Sequence, residues 1–103
     1  MLNFELEHMD DFNGDKIFWL QANNVEQEYI EQAKHIDKEN FLLECFGICV
    51  NYSNEDKEYM VCQDKFDCEL YYVDNDGDKH WLNYKLTKEE CEKAVKFCSR
   101  IAA

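Results

Sequence analysis

Residues 66–91, FDCELYYVDNDGDKHWLNYKLTKEEC, decide the fold. Phe66, Cys68, Leu70 and Tyr72 alternate with Asp67, Glu69 and Tyr71, the period of a strand buried on one face. Asp76-Gly77 then supplies a hairpin turn, whose central positions favour residues that tolerate positive φ. His80, Leu82, Tyr84 and Leu86 return as the partner strand. Thr87 and Glu90 stand three apart, the spacing of a capping box, in which each side chain satisfies a backbone N–H that the helix start leaves open. Cys91, Ala94, Val95, Cys98 and Ile101 follow at helical spacing, with Lys93, Lys96 and Arg100 toward the end that favours cations. The stretch therefore reads as a hairpin that feeds a capped amphipathic helix.

The N-terminal third repeats this plan. Phe4, Leu6 and His8 alternate with Glu5, Glu7 and Met9, which predicts a half-buried strand over 4–12. Asn13-Gly14 is the strongest two-residue turn signal. Ile17-Phe18-Trp19-Leu20 is a continuous apolar run that predicts a returning strand covered on both faces. Asn24 with Gln27 is a candidate capping box, and Val25, Tyr29, Ile30, Ala33 and Ile36 predict a helix over 25–37. Between the two units, Phe41 to Tyr52 reads as a long apolar strand. Gly47 interrupts it, which points to a bulge or a close backbone approach. Residues 51–56 turn the chain, 57–63 form a short strand, and Asp64-Lys65 turn it again. The fold class is α+β, in the order ββα-ββββα. It is a single domain over 1–103, with an antiparallel or mixed sheet of about five to six strands and two helices packed on it. Gly14-Asp15-Lys16-Ile17-Phe18-Trp19-Leu20 echoes Gly77-Asp78-Lys79-His80-Trp81-Leu82 with one residue skipped, which similar turn chemistry explains as well as duplication does.

The chain can afford such a core. Hydrophobic residues make up 46% of it and aromatics 15%, and there is no proline. Acidic disordered chains lack that apolar content. No apolar run approaches the ~18 residues of a membrane span. The first residues have neither the basic region nor the apolar run of a secretion signal, so a cytoplasmic protein is expected. In that compartment Cys45, Cys49, Cys62, Cys68, Cys91 and Cys98 remain free thiols. Cys91/Cys98 on a helix and Cys45/Cys49 on a strand have the spacings of buried core residues.

No cofactor or metal is expected. Counting an EF-hand loop from Asp74 puts Lys79 where glycine is needed and Lys85 where glutamate is needed. No CxxC pair exists to start a zinc site. Cys62 or Cys68 with His80 is the one nucleophile–base pair worth naming, but acidic surroundings raise a thiol's pKa, and Cys68 falls on an apolar face. Nucleophile elbows, phosphate loops and dinucleotide fingerprints are missing. The chain is not expected to be an enzyme.

Charge remains. The formal net is −12. Residues 1–78 hold 20 acids and five basic residues, a net of −15, whereas residues 79–103 hold three acids and six basic residues, a net of +3. Such a surface repels nucleic acid and anionic membrane and attracts basic proteins. The candidate binding face comprises Glu5, Glu7, Asp10, Asp11, Asp15, Glu26, Glu28 and Glu31, joined by Asp74, Asp76 and Asp78 of the second turn. Glu5 and Glu7 are expected on one side of a strand, about 7 Å apart. An ordinary solvated acidic surface is the competing reading.

With its acidic stretch from Glu5 to Glu31, its Asp74/Asp76/Asp78 turn and its lack of catalytic motifs, the chain resembles in character the small anti-CRISPR and DNA-mimicking antirestriction inhibitors. That resemblance implies a non-enzymatic protein that occludes the nucleic-acid groove of a basic partner, such as a Cas nuclease or another nucleic-acid enzyme. The positive last helix departs from a uniformly acidic mimic. The alternative is a general interaction module that binds through an apolar or aromatic patch around Trp19 or Trp81.

Overall fold

The computed structural model describes residues 1–61 and 69–102. Its elements are β1 (Asn3–Phe12), β2 (Asp15–Asn23), α1 (Gln27–Ile36), a 3₁₀ turn (Leu43–Cys45), β3 (Phe46–Ser53), β4 (Glu58–Val61), β5 (Glu69–Val73), β6 (Lys79–Lys85) and α2 (Lys88–Ala102). The six strands form one antiparallel sheet in the order β1-β2-β3-β5-β6, and β4 also pairs with β3. β3 is the spine. One of its edges pairs with β2, and the other is shared, with Phe46 and Gly47 facing β5 and Val50–Ser53 facing β4. This is the α+β architecture that the alternating strands and capped helices predict.

Both helices pack on one face of the sheet, here called the inner face. Phe18, Leu20 and Ala22 of β2 meet Phe46, Ile48 and Val50 of β3, with Leu70, Tyr72 and Leu82 beyond them. Ala33 of α1 and Ala94 and Cys98 of α2 close the same cluster. Phe46 and Tyr72 meet edge-to-face at 5.3 Å, and Phe41 stacks on Tyr72 at 5.6 Å. Each large side chain fully buried here contributes roughly 1.5–3 kcal/mol.

The first turn took the predicted form: Asn13 and Gly14 have φ of 57° and 95°, as a type I′ turn requires. The second is longer than the two-residue Asp76-Gly77 turn that the sequence suggests. Only Gly77 is left-handed, with φ of 86°, and Gly77 N–H donates to Asp74 O while Asp74 N–H donates to Asp78 O, so the reversal runs from Asp74 to Asp78. Thr87 and Glu90 complete the capping box, since Glu90 N–H donates to Thr87 Oγ1 and Thr87 N–H donates to Glu90 Oε1.

Four local expectations are corrected. Strict alternation along β1 ends at a bulge between Leu6 and His8, where Glu7 is the extra residue. A one-residue insertion reverses the faces beyond it. His8 therefore stands opposite Trp19 and Met9 opposite inner-facing Phe18, the reverse of the simple pattern. Asn24 does not cap α1. It takes a left-handed φ of 64° and its amide donates to Met1 O, so the helix starts after Glu26 without a side-chain cap. The strand read from Phe41 begins only at Phe46, and Leu42 and Leu43 lie exposed before it. Cys45 accordingly sits in the 3₁₀ turn rather than on a strand face shared with Cys49. The short strand read at 57–63 is described over Glu58–Val61, its residues 62–63 lying outside the described residues, and the one read from Phe66 is described from Glu69. Phe66, Cys62, Cys68 and the Asp64-Lys65 turn lie outside the described residues. The two echoing segments occupy unlike places, one in the interior strand β2 and the other leading into β6 at the end of the strand order.

Candidate acidic interface

Among the described residues the sheet's outer face carries no helix, yet it is partly sealed. Gly47 and Cys49 give β3 a shallow outer surface, and larger side chains from the flanking strands close over it. A Cβ at Gly47 would lie 2.8 Å from the Tyr71 ring and 2.9 Å from Leu20 O, so the glycine allows that close approach. Lys79 Nζ lies 4.2 Å from the Trp19 ring centre and 5.5 Å from that of Tyr71. Trp81 packs its edge against Tyr71 at 5.3 Å but remains 53% exposed. Trp19 is thus spoken for, and Trp81 is the open aromatic of the pair that the sequence nominates.

The eleven candidate carboxylates belong to three parts of the fold. Glu5, Glu7, Asp10, Asp11 and Asp15 follow β1, an edge strand, and its turn. Glu26, Glu28 and Glu31 belong to the start and body of α1, which packs near β6 at the other end of the strand order. Asp74, Asp76 and Asp78 belong to the β5–β6 turn.

Their commitments differ. Asp10 accepts from Trp19 Nε1–H at 3.3 Å and lies 2.7 Å from His8 Nε2. These bonds, Trp19's foremost, hold its carboxyl below the usual range. Asp11 accepts from Gly14 N–H, and Asp15 accepts from Asn54 N–H, which ties the first turn to the β3–β4 turn. Glu31 pairs with Gln27 and Lys34 along α1, and these contacts, Gln27's foremost, lower its pKa. Asp74 Oδ1 accepts from Asp76 N–H and Asp78 N–H, and Oδ2 lies 2.6 Å from His80 Nε2. His80 first, and then those N–H groups, hold Asp74 low. Its carboxylate thus organises its own turn. Among the described residues, no three His, Cys, Asp or Glu side chains converge as metal ligands would. Glu5 and Glu7 differ from Asp10, Asp11, Asp15, Glu31 and Asp74. Both are exposed, and neither has a hydrogen-bond or ion-pair partner among the described residues.

Three of the described thiols, Cys45, Cys49 and Cys98, are not activated. Burial pushes Cys49 up to about 11 and Cys98 up to about 12, while Cys45 is raised by burial and by neighbouring Glu44, Glu7 and Asp37. Cys49 and Cys98 are therefore expected to resist iodoacetamide in the folded protein and to label fully in denaturant, as mass spectrometry would read. Rapid labelling of either thiol in the native state contradicts this.

One feature had no signal in the sequence. A groove of about 1060 Å³ opens between α2 and the β3–β4 hairpin, with Tyr52, Tyr59, Met60, Cys91 and Val95 among its lining. It forms only when the hairpin and helix come together.

No family model matches the chain, and no curated protein or solved structure does.

Proposed function

We propose that this protein is a non-enzymatic binding module that presents the acidic β1 edge to a basic partner. The partner class that fits is a nucleic-acid enzyme, a Cas nuclease or a target of the antirestriction type, inhibited by occlusion of its basic groove. The observation that carries the reading is the pair Glu5 and Glu7, exposed and unpaired among the described residues on an edge strand. The net of −15 over residues 1–78 supports it, because long-range attraction steers such a surface toward basic grooves.

Glu5→Lys/Glu7→Lys is the variant that tests it, since Asp10 and Asp11 also hold local structure. Reversal of two unpaired surface charges is expected to weaken partner binding at low salt about tenfold or more, with unchanged thermal stability. Unchanged affinity would sink the electrostatic reading. The second reading, an apolar module, rests on the exposed Trp81. It predicts that Trp81→Ala abolishes binding, that the charge reversal does not, and that salt has little effect.

A further inference from the structure

We infer that β1 receives an extended segment of the partner as an added strand, one that carries basic residues toward the outer face and apolar residues toward the inner face. This rests on the reading of β1 as the binding edge and specifies how it is engaged.

Three observations converge. First, among the described residues β1 pairs only with β2, and none of them covers its second edge with a strand. The two-residue turn makes Phe12 and Asp15 a hydrogen-bonded pair, so on the run before it alternate residues, Asp11 and Met9, direct backbone N–H and C=O groups away from β2. Those groups are a template for a further strand. The bulge leaves His8–Phe12 as the longest regular run, which matches the commonest strand length of about five residues.

Second, the helices do not cover this end of the inner face. Leu6 is 41% exposed and Met9 36%, although both stand opposite fully buried partners, Leu20 and Phe18. An added strand would place every second side chain beside them.

Third, the outer side of the same strand is acidic. Glu5 stands opposite Gln21 and Asp10 opposite Ile17, with Glu7 in the bulge between them. That charge selects the occupant. A second copy of this chain pairing β1 with β1 would bring like carboxylates together, which is unfavourable. A strand with lysine or arginine at alternate positions brings opposite charges to Glu5, Glu7 and Asp10 and keeps its apolar residues for Leu6 and Met9.

The test uses two peptides of equal composition, Lys-Val-Lys-Val-Lys-Val-Lys and its block isomer Lys-Lys-Lys-Lys-Val-Val-Val, added to the isotope-labelled protein. Amide exchange is followed by nuclear magnetic resonance. The alternating peptide is expected to slow exchange at Met9 and Asp11 about tenfold or more, and the block isomer to leave it unchanged. Met9→Pro removes one outward N–H and is expected to erase the effect at Asp11 without altering attraction to the block isomer. If both peptides bind equally and neither slows Met9 or Asp11, strand addition is overturned while charge-driven binding stands. If the alternating peptide does not bind at all, strand addition is likewise overturned, and the Glu5→Lys/Glu7→Lys comparison still judges the binding edge on its own.

Discussion

Glu90→Ala is expected to destabilise the protein by about 3–5 kcal/mol, the cost of removing one partner from a buried charged network. Glu90 is 1% exposed. Its carboxylate accepts from Leu2 N–H at 2.8 Å, Tyr84 Oη–H at 2.6 Å and Thr87 N–H at 3.0 Å. It therefore joins the chain start, β6 and the start of α2 at one point. Truncation leaves three donors without that acceptor, and each unsatisfied buried donor costs about 1–3 kcal/mol. Urea denaturation reads the loss directly. A change below about 1 kcal/mol would mean that water replaces the carboxylate at little cost.

The same residue gives acid sensitivity a defined sign. Burial raises the Glu90 pKa, but the bonds from Tyr84, Leu2 and Thr87 outweigh it and hold the carboxyl below its ordinary value of 4.5. A folded pKa below the unfolded one stabilises the protein at pH above the unfolded value. That contribution is lost as pH falls through the folded pKa. The stability gap between wild type and Glu90→Gln is thus expected to be widest near neutrality and to shrink below about pH 4.5. A gap that grows toward acid would reverse the assignment.

Gly47→Ala is the second large effect. The added Cβ would meet the Tyr71 ring at 2.8 Å and the Leu20 carbonyl oxygen at 2.9 Å. The second of these is backbone of a paired strand and cannot rotate away. Tyr71 is itself buried, with its hydroxyl donating to Ile48 O at 3.4 Å. Overpacking of this kind costs about 1–3 kcal/mol, and the backbone clash places Gly47→Ala at the upper end. For a domain of this size that lowers Tm by about 12 °C or more. Because Lys79 bridges Trp19 and Tyr71, the tryptophan fluorescence of the folded variant should shift as well. A variant with wild-type Tm and fluorescence would show that the outer layer is not closed over β3.

The features legible in the sequence are those in which a local pattern and the tertiary fold agree. Asn13-Gly14 asks for positive φ wherever it is placed, and Thr87 and Glu90 satisfy each other within four residues. Gly47 in an apolar strand announced a close approach without naming Tyr71 as the neighbour. The unread features depend on distant partners. Nothing near Glu7 marks it as a bulge, because the register of β1 is set by what β2 must bury against β3. Asn24 carries a cap signature, but the passing chain start captured its amide. Leu42 and Leu43 look like strand residues, yet the chain is still turning there, with Leu42 N–H bonded to Tyr72 Oη at 3.1 Å.

The candidate site shows the same division. Composition revealed the acidic N-terminal region, but not which carboxylates are free. Asp10, Asp11, Asp15 and Asp74 shape turns and orient neighbours, while Glu5 and Glu7 have no such task among the described residues. The candidates are distributed among β1, α1 and the β5–β6 turn. Among the described residues, only the β1 group combines exposed, unpaired carboxylates with an edge strand. That combination directs the functional test to β1.

The most direct test of the acidic binding edge is a capture experiment in bacterial lysate, run in parallel with wild-type protein and Glu5→Lys/Glu7→Lys across a salt series. The account predicts a basic nucleic-acid enzyme that wild type retains at low salt and releases as salt rises, that nucleic acid competes away, and that the variant fails to retain. A partner held equally by both proteins and indifferent to salt would contradict it.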